Sequence, residues 1–163
     1  MSSNVNIYIS AYFANSVNKL PVSITVGNRT ITGPATYVAK YSDAGEIQWV
    51  QTLDKGFASS HKTDAEGNSY ICGSFQDFYN LGTFYKQSNG SNDVFVTKFS
   101  KDGDILRLET LGGSNNDFAN CITLDKGKNF YVSGSFLGTL EYKDTKLTKA
   151  GSDTDSFILR LDK

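Results

Sequence analysis

Short alternations of apolar and polar residues, separated by turn residues, run the length of this chain. Residues 6–13 read NIYISAYF, with Ile7, Ile9 and Ala11 on one side and Tyr8, Ser10 and Tyr12 on the other. A period of two predicts a β-strand, because successive side chains of an extended chain point to opposite faces. The segment recurs as NSYICGSF at 68–75 and NFYVSGSF at 129–136, which puts Tyr8, Tyr70 and Tyr131 in one slot. Long-period repetition of short apolar runs predicts a repeat architecture, each unit burying its face against its neighbours.

Other segments follow the tyrosine strand in fixed order. First comes an excursion of unequal length, ITVGNRTIT (24–32) in the first copy and LEYKDTKLT (140–148) in the third. Both predict hairpins, turning at Gly27-Asn28 and Lys143-Asp144. The middle copy is shorter, with its turn signal at Ser88-Asn89-Gly90-Ser91. Next, TYVAKYS (36–42), VFVTKFS (94–100) and SFILRLD (156–162) place Lys40, Lys98 and Arg160 in one slot. Alternation puts that cation opposite the core residues, which predicts a solvated strand face with the stem covering apolar surface. The turns DAGE (43–46) and KDGD (101–104) lead into EIQWVQTL (46–53) and DILRLETL (104–111).

Finally SSHKTDAEGN (59–68) and NCITLDKGKN (120–129) match through Asp64 and Asp125, each six residues before its tyrosine. They predict a strand and a glycine-containing turn whose aspartate caps its own loop. The second and third tyrosine strands end Gly-Ser-Phe, and a glycine there admits close approach by another backbone or a large side chain. The first copy has Ala11 in that position, which predicts looser or shifted packing.

The 163 residues fit one domain, 1–163, with repeats at about 4–67, 68–128 and 129–163. Sixteen Lys and Arg against 17 Asp and Glu argue against a general nucleic-acid binder or a membrane-surface protein. Fifteen Gly against two Pro, with abundant Phe and Tyr, favour strands joined by tight turns. No signal-peptide pattern and no stretch of membrane-spanning length occur, so a soluble intracellular protein is expected. Cys72 aligns with Ser10 and Ser133, and Cys121 with Ser60. Both read as small-residue slots holding reduced thiols rather than as a disulfide framework.

Candidate chemistry is sparse. His61 is the single histidine and aligns with Ile122, with no CxxC, His-rich or Gly-x-Ser-x-Gly element to partner it. The acidic turns Asp43/Glu46 and Asp102/Asp104 lack the dense ladder of a calcium loop and read as turn formers. Leu111-Gly112-Gly113-Ser114 opens no helix and so does not resemble a phosphate loop. No catalytic residue, metal ligand or cofactor is expected. Trp49 stands where the second repeat has Arg107, as either core packing or a stacking platform for a sugar or a partner. Tyr12, Tyr79 and Tyr85, at positions of exposed parity, are comparable contact candidates.

Together, Tyr-x-x-Gly-Ser-Phe, the hairpin, Phe-x-x-Lys-Phe-x-x-x-Gly and Asp-x-x-Gly-Asn resemble the SBBP-type β-propeller repeat. The resemblance covers residues 4–163 and is strongest at 68–75, 94–111 and 120–136. It implies an all-β fold of propeller-like blades of antiparallel strands, about three per chain, and supplies no catalytic residues. Segment counting gives three strands in the first repeat, four in the second and three in the third. Closed propellers use four to eight blades, and exposed end strands invite association. The expectation is therefore a homo-oligomer, foremost a dimer, with a single-chain β-sandwich or barrel as the alternative. The expected function is a non-enzymatic structural or protein-interaction scaffold. The runner-up is a lectin-like protein with shallow glycan sites repeated per blade, and an enzyme relying on His61 is a distant third.

Overall fold

Turn residues with positive φ delimit the strands. Gly45 and Gly103 take φ values of 79° and 91° in equivalent turns, a conformation that costs glycine least. The computed structural model describes residues 6–14, 22–151 and 153–162. Residues 4, 5, 15–21, 152 and 163 of the repeat reading, and residues 1–5 of the leader reading, lie outside them.

The first repeat forms β1 (Ile7–Phe13), a hairpin of β2 (Val22–Val26) and β3 (Arg29–Gly33), then β4 (Ala35–Tyr41) and β5 (Ile47–Asp54). The second sheet opens with β6 (Gly56–Thr63), so the structural unit begins ahead of the expected boundary at 67/68, as the third begins ahead of 128/129. It continues through β7 (Ser69–Phe75), the hairpin β8 (Phe78–Leu81) and β9 (Phe84–Gln87), β10 (Asp93–Phe99) and β11 (Ile105–Leu111). The third contains β12 (Asp117–Leu124), β13 (Phe130–Phe136), the hairpin β14 (Thr139–Tyr142) and β15 (Thr145–Thr148), and β16 (Asp155–Leu161). No helix occurs among the described residues.

Setting the hairpins aside, the strands pair into three antiparallel sheets ordered β1-β4-β5, β6-β7-β10-β11 and β12-β13-β16. The expected count of three, four and three is met. Among the described residues the first sheet has no equivalent of the opening strand β6, and the third has none of the closing strand β11. Among the described residues the sheets close neither a barrel nor a ring.

Both faces of the second sheet are covered. Toward the first sheet, Ile71, Phe75, Phe95 and Phe99 meet Val38 and Leu53, with Tyr79 and Leu81 of the hairpin joining them. Toward the third, Tyr70, Cys72, Val94 and Val96 meet Ile122, Phe130, Val132 and Phe157. Burying each such side chain is worth about 1.5–3 kcal/mol, so these boundaries dominate the stability of the fold. Strand β7, between them, is buried along its whole length.

That arrangement corrects the solvated reading of the cation slot at Lys40, whereas Lys98 is half-buried and Arg160 exposed, as that reading expects. Lys40 is only 8% exposed, and its ammonium donates to the Lys101 carbonyl of the next sheet at 2.9 Å. The face expected to meet water meets a neighbouring repeat. The middle hairpin also turns elsewhere than expected, at Gly82-Thr83, where Gly82 takes φ 60°. Ser88–Ser91 instead wraps Asp93, whose Oδ2 accepts from the Asn89 amide at 2.8 Å.

The glycine of Gly-Ser-Phe has a specific cause. A Cβ on Gly73 would lie 1.9 Å from the Phe57 carbonyl oxygen, and one on Gly134 2.0 Å from that of Phe118. Both carbonyls belong to opening strands bulged at Ala58/Ser60 and Ala119/Cys121. Ala11 fills the equivalent slot in the sheet that has no opening strand among the described residues.

Candidate functional site

A cleft of about 630 Å³ lies between the second and third sheets, at the ends of β6 and β12. The two opening strands place Phe57 and Phe118 in equivalent positions on its walls, 52% and 41% exposed. Their backbone carbonyls face the glycines of the adjacent strands, and their rings face outward. Phe75 and Ala119 add apolar lining, while Lys55, Gln76, Asp77, Asn92 and Asn120 supply polar groups. Asn92 ties the two sheets together: its Nδ2 donates to Asn116 Oδ1 at 2.8 Å, and its carbonyl accepts from the Asp117 amide. Aromatic faces beside amides and a carboxylate suit a ligand with both apolar and hydroxyl surfaces. The cleft therefore has the chemistry of binding.

The residues singled out from the sequence are not gathered here. Trp49 packs at the boundary of the first two sheets, 6.0 Å between centroids from Phe99, and its Nε1 donates to the Lys101 carbonyl at 3.0 Å. There it is half-buried, packed against the edge of the core cluster that includes Val38, Leu53 and Phe99. Tyr79, expected at an exposed position, is fully buried between Phe75 and Phe95. Its hairpin folds onto the first sheet's β5, which reverses the exposure parity. Tyr85 is 58% exposed and stacks on Phe78. Tyr12 is 41% exposed and leans on Phe57 with centroids 3.8 Å apart, beside the cleft. In the sequence, Phe57 and Phe118 are marked as a shared slot only by the aligned Phe-Ala pairs of GFAS and DFAN.

His61 lines a smaller cavity of about 360 Å³ with Asn6, Tyr8, Lys62 and Thr63. Burial pushes its imidazole down to about 4 and keeps it neutral, and Tyr8 packs edge-on at 6.1 Å. Its Nε2 is buried without a hydrogen-bond partner.

Asp93 and Asp117 are nearly inaccessible, and each closes a loop by accepting the backbone amide four residues earlier, Asn89 and Gly113. Burial, and then the Asp93 charge, pushes Asp117 up to about 6. In the acidic turns, the Ser100 hydroxyl accepts from the amides of Asp102 and Asp104, and Ser42 does the same for Glu46. No group of three or more His, Cys, Asp and Glu suited to a metal occurs among the described residues. Cys72 and Cys121 are free thiols, Cys72 buried and Cys121 exposed. No helix among the described residues is long and apolar enough to cross a membrane.

Apolar side chains also stand exposed on the two end sheets: Ile7 and Ile9 at 46% and 38% on the first, Ile158 at 77% on the third. Comparison with protein-family models gives no match, and no curated protein matches the chain.

Proposed function

We propose that this chain is a non-enzymatic interaction scaffold of β-propeller type, its three sheets acting as blades, and that it works as a dimer. One observation carries the reading. Among the described residues the two end sheets each have one strand fewer than the middle sheet, and each turns large apolar side chains to solvent. Exposed strand edges and apolar faces of this kind favour association. The repeat motifs, and their resemblance to SBBP-type propeller repeats, support the blade assignment. Native mass spectrometry or light scattering at micromolar concentration tests it. A particle of twice 17.9 kDa is expected, and a monomer overturns the reading.

The cleft favours a second reading, a carbohydrate-binding protein whose sugar stacks on Phe57 and Phe118. Moving the site from Trp49 to these rings follows from their exposure. A glycan array with the intact chain and with Phe118→Ala tests it. Defined glycan signals lost in the variant, at an unchanged melting temperature, support the lectin, and an array without signal overturns it.

A further inference from the structure

The exposed groups on the end sheets have equivalents elsewhere in the chain, and those equivalents are buried at boundaries between sheets. Ile158 of β16 pairs with Ser133, as Val96 of β10 pairs with Cys72 and Val38 of β4 with Ser10. Val38 and Val96 are 0% and 2% exposed because a following sheet covers them, while Ile158 is 77% exposed. On the opposite face, Ile9 corresponds to Ile71 and Val132, both 0% exposed beneath a preceding sheet. The third sheet thus presents the face that takes a successor, and the first sheet presents the face that takes a predecessor.

Polar contacts at the internal boundaries say how such faces dock. At the first boundary, Lys40 Nζ and Trp49 Nε1 both donate to the Lys101 carbonyl, and Gln51 Nε2 donates to the Gly103 carbonyl. All three read one turn, residues 100–104, of the following sheet. At the second boundary Arg107, which replaces Trp49, donates to the Asp162 carbonyl just after β16. Arg160 occupies the cation slot of the third sheet and is exposed in a 3.2 Å pair with Asp162. The turn that it would read in a first sheet is 42–46, which has the hydrogen bonds of 100–104: Gly45 to Ser42 and Ser42 to Glu46 match Gly103 to Ser100 and Ser100 to Asp104. In this match Asp43 stands where Lys101 stands. The one turn with no described sheet before it therefore offers carboxylates, Asp43 and Glu46, to an arginine.

We infer that two copies meet head to tail, the Ile158–Arg160 face of the third sheet docking on the Ile7–Ile9 face of the first sheet of a second copy. Arg160 takes the carbonyl and carboxylate of Asp43, and Ile158 is covered as Val96 is covered within the chain. This deepens the proposed dimer and rests on it. The contact is heterologous, so each copy uses two different surfaces, and rotation decides whether the pair closes.

Light scattering across a concentration series, with Ile158→Asp, Arg160→Asp, Asp43→Arg and the Arg160→Asp/Asp43→Arg swap, tests the contact. The substituted side chains are exposed, and melting temperatures verify that the variants fold. Each single change is expected to weaken association about tenfold or more, and the swap to restore most of the loss. Association unchanged by Ile158→Asp, or a swap no better than its single changes, overturns the head-to-tail contact and leaves the dimer standing. A monomeric unmodified chain overturns both.

Discussion

The Tyr70 hydroxyl donates to Asp64 Oδ2 at 3.1 Å, and six residues of chain close into a loop around that bond. Tyr131 repeats the contact with Asp125 at 3.3 Å. The same carboxylates accept from the backbone and side-chain amides of Asn68 and Asn129. Tyr8 turns instead to the second sheet and donates to the Gly67 carbonyl, in the turn between β6 and β7, at 3.0 Å. The repeated tyrosine thus ties each opening turn to its strand, or one sheet to the next.

Asp64→Ala removes the acceptor of four hydrogen bonds and should cost about 1–2 kcal/mol, discounted for partial exposure. Burial alone would raise this carboxyl, but the bonds from Asn68, Tyr70 and Glu66 hold it below its ordinary value. Its stabilisation is therefore present above about pH 4, the unfolded value, and lost as pH falls through the folded one. Urea denaturation at pH 7 and pH 3 should show the difference between the intact chain and the variant shrinking in acid.

Asp117 acts in the opposite direction. Its carboxyl is pushed up to about 6 by burial and by Asp93, so the folded chain binds a proton that the unfolded chain releases near pH 4. This group's contribution favours folding below about pH 4 and is lost as pH rises through 6. Asp117→Asn keeps an acceptor for the Gly113 amide and removes the titration. Its melting temperature should change less than that of the intact chain between pH 4 and 6.

Gly73→Ala and Gly134→Ala press a methyl group into a backbone carbonyl, and backbone cannot swing aside as a flexible side chain does. Each should cost about 2–4 kcal/mol. Ala11→Gly, with no opening strand beside it among the described residues, should cost about 1 kcal/mol or less. Denaturation midpoints for the three variants provide the comparison.

Trp49 separates packing from ligand contact. Trp49→Phe keeps a ring at the boundary and loses the bond to Lys101, for about 1 kcal/mol. Trp49→Ala empties the position, for about 3 kcal/mol or more. Both should leave glycan-array signals unchanged, whereas Phe118→Ala should remove them at little cost in stability.

The strands of this chain were legible because alternation and turn residues are local signals. The three-four-three count followed from matching Tyr8, Tyr70 and Tyr131. Asp64 and Asp125 were readable as caps because an aspartate capping its own loop needs only nearby chain. Burial was not readable in the same way. Lys40 looked solvated and Tyr79 exposed, because a period of two separates the faces of a strand without saying whether a second sheet covers the polar one. Trp49 gave no local sign of the turn at Lys101, which lies 52 residues along the chain. Phe57 and Phe118 escaped notice because a cleft between sheets has no pattern within either strand.

Ala11 has a consequence for what can extend the first sheet. An opening strand laid along β1 in the register of β6 and β12 would aim its bulged carbonyl at the Ala11 methyl group, about one carbon–oxygen bond-and-a-half away. One side-chain carbon therefore disfavours a bulged strand in that register on that edge. It leaves Ile7 and Ile9, on the face beside it, as the apolar surface open to company.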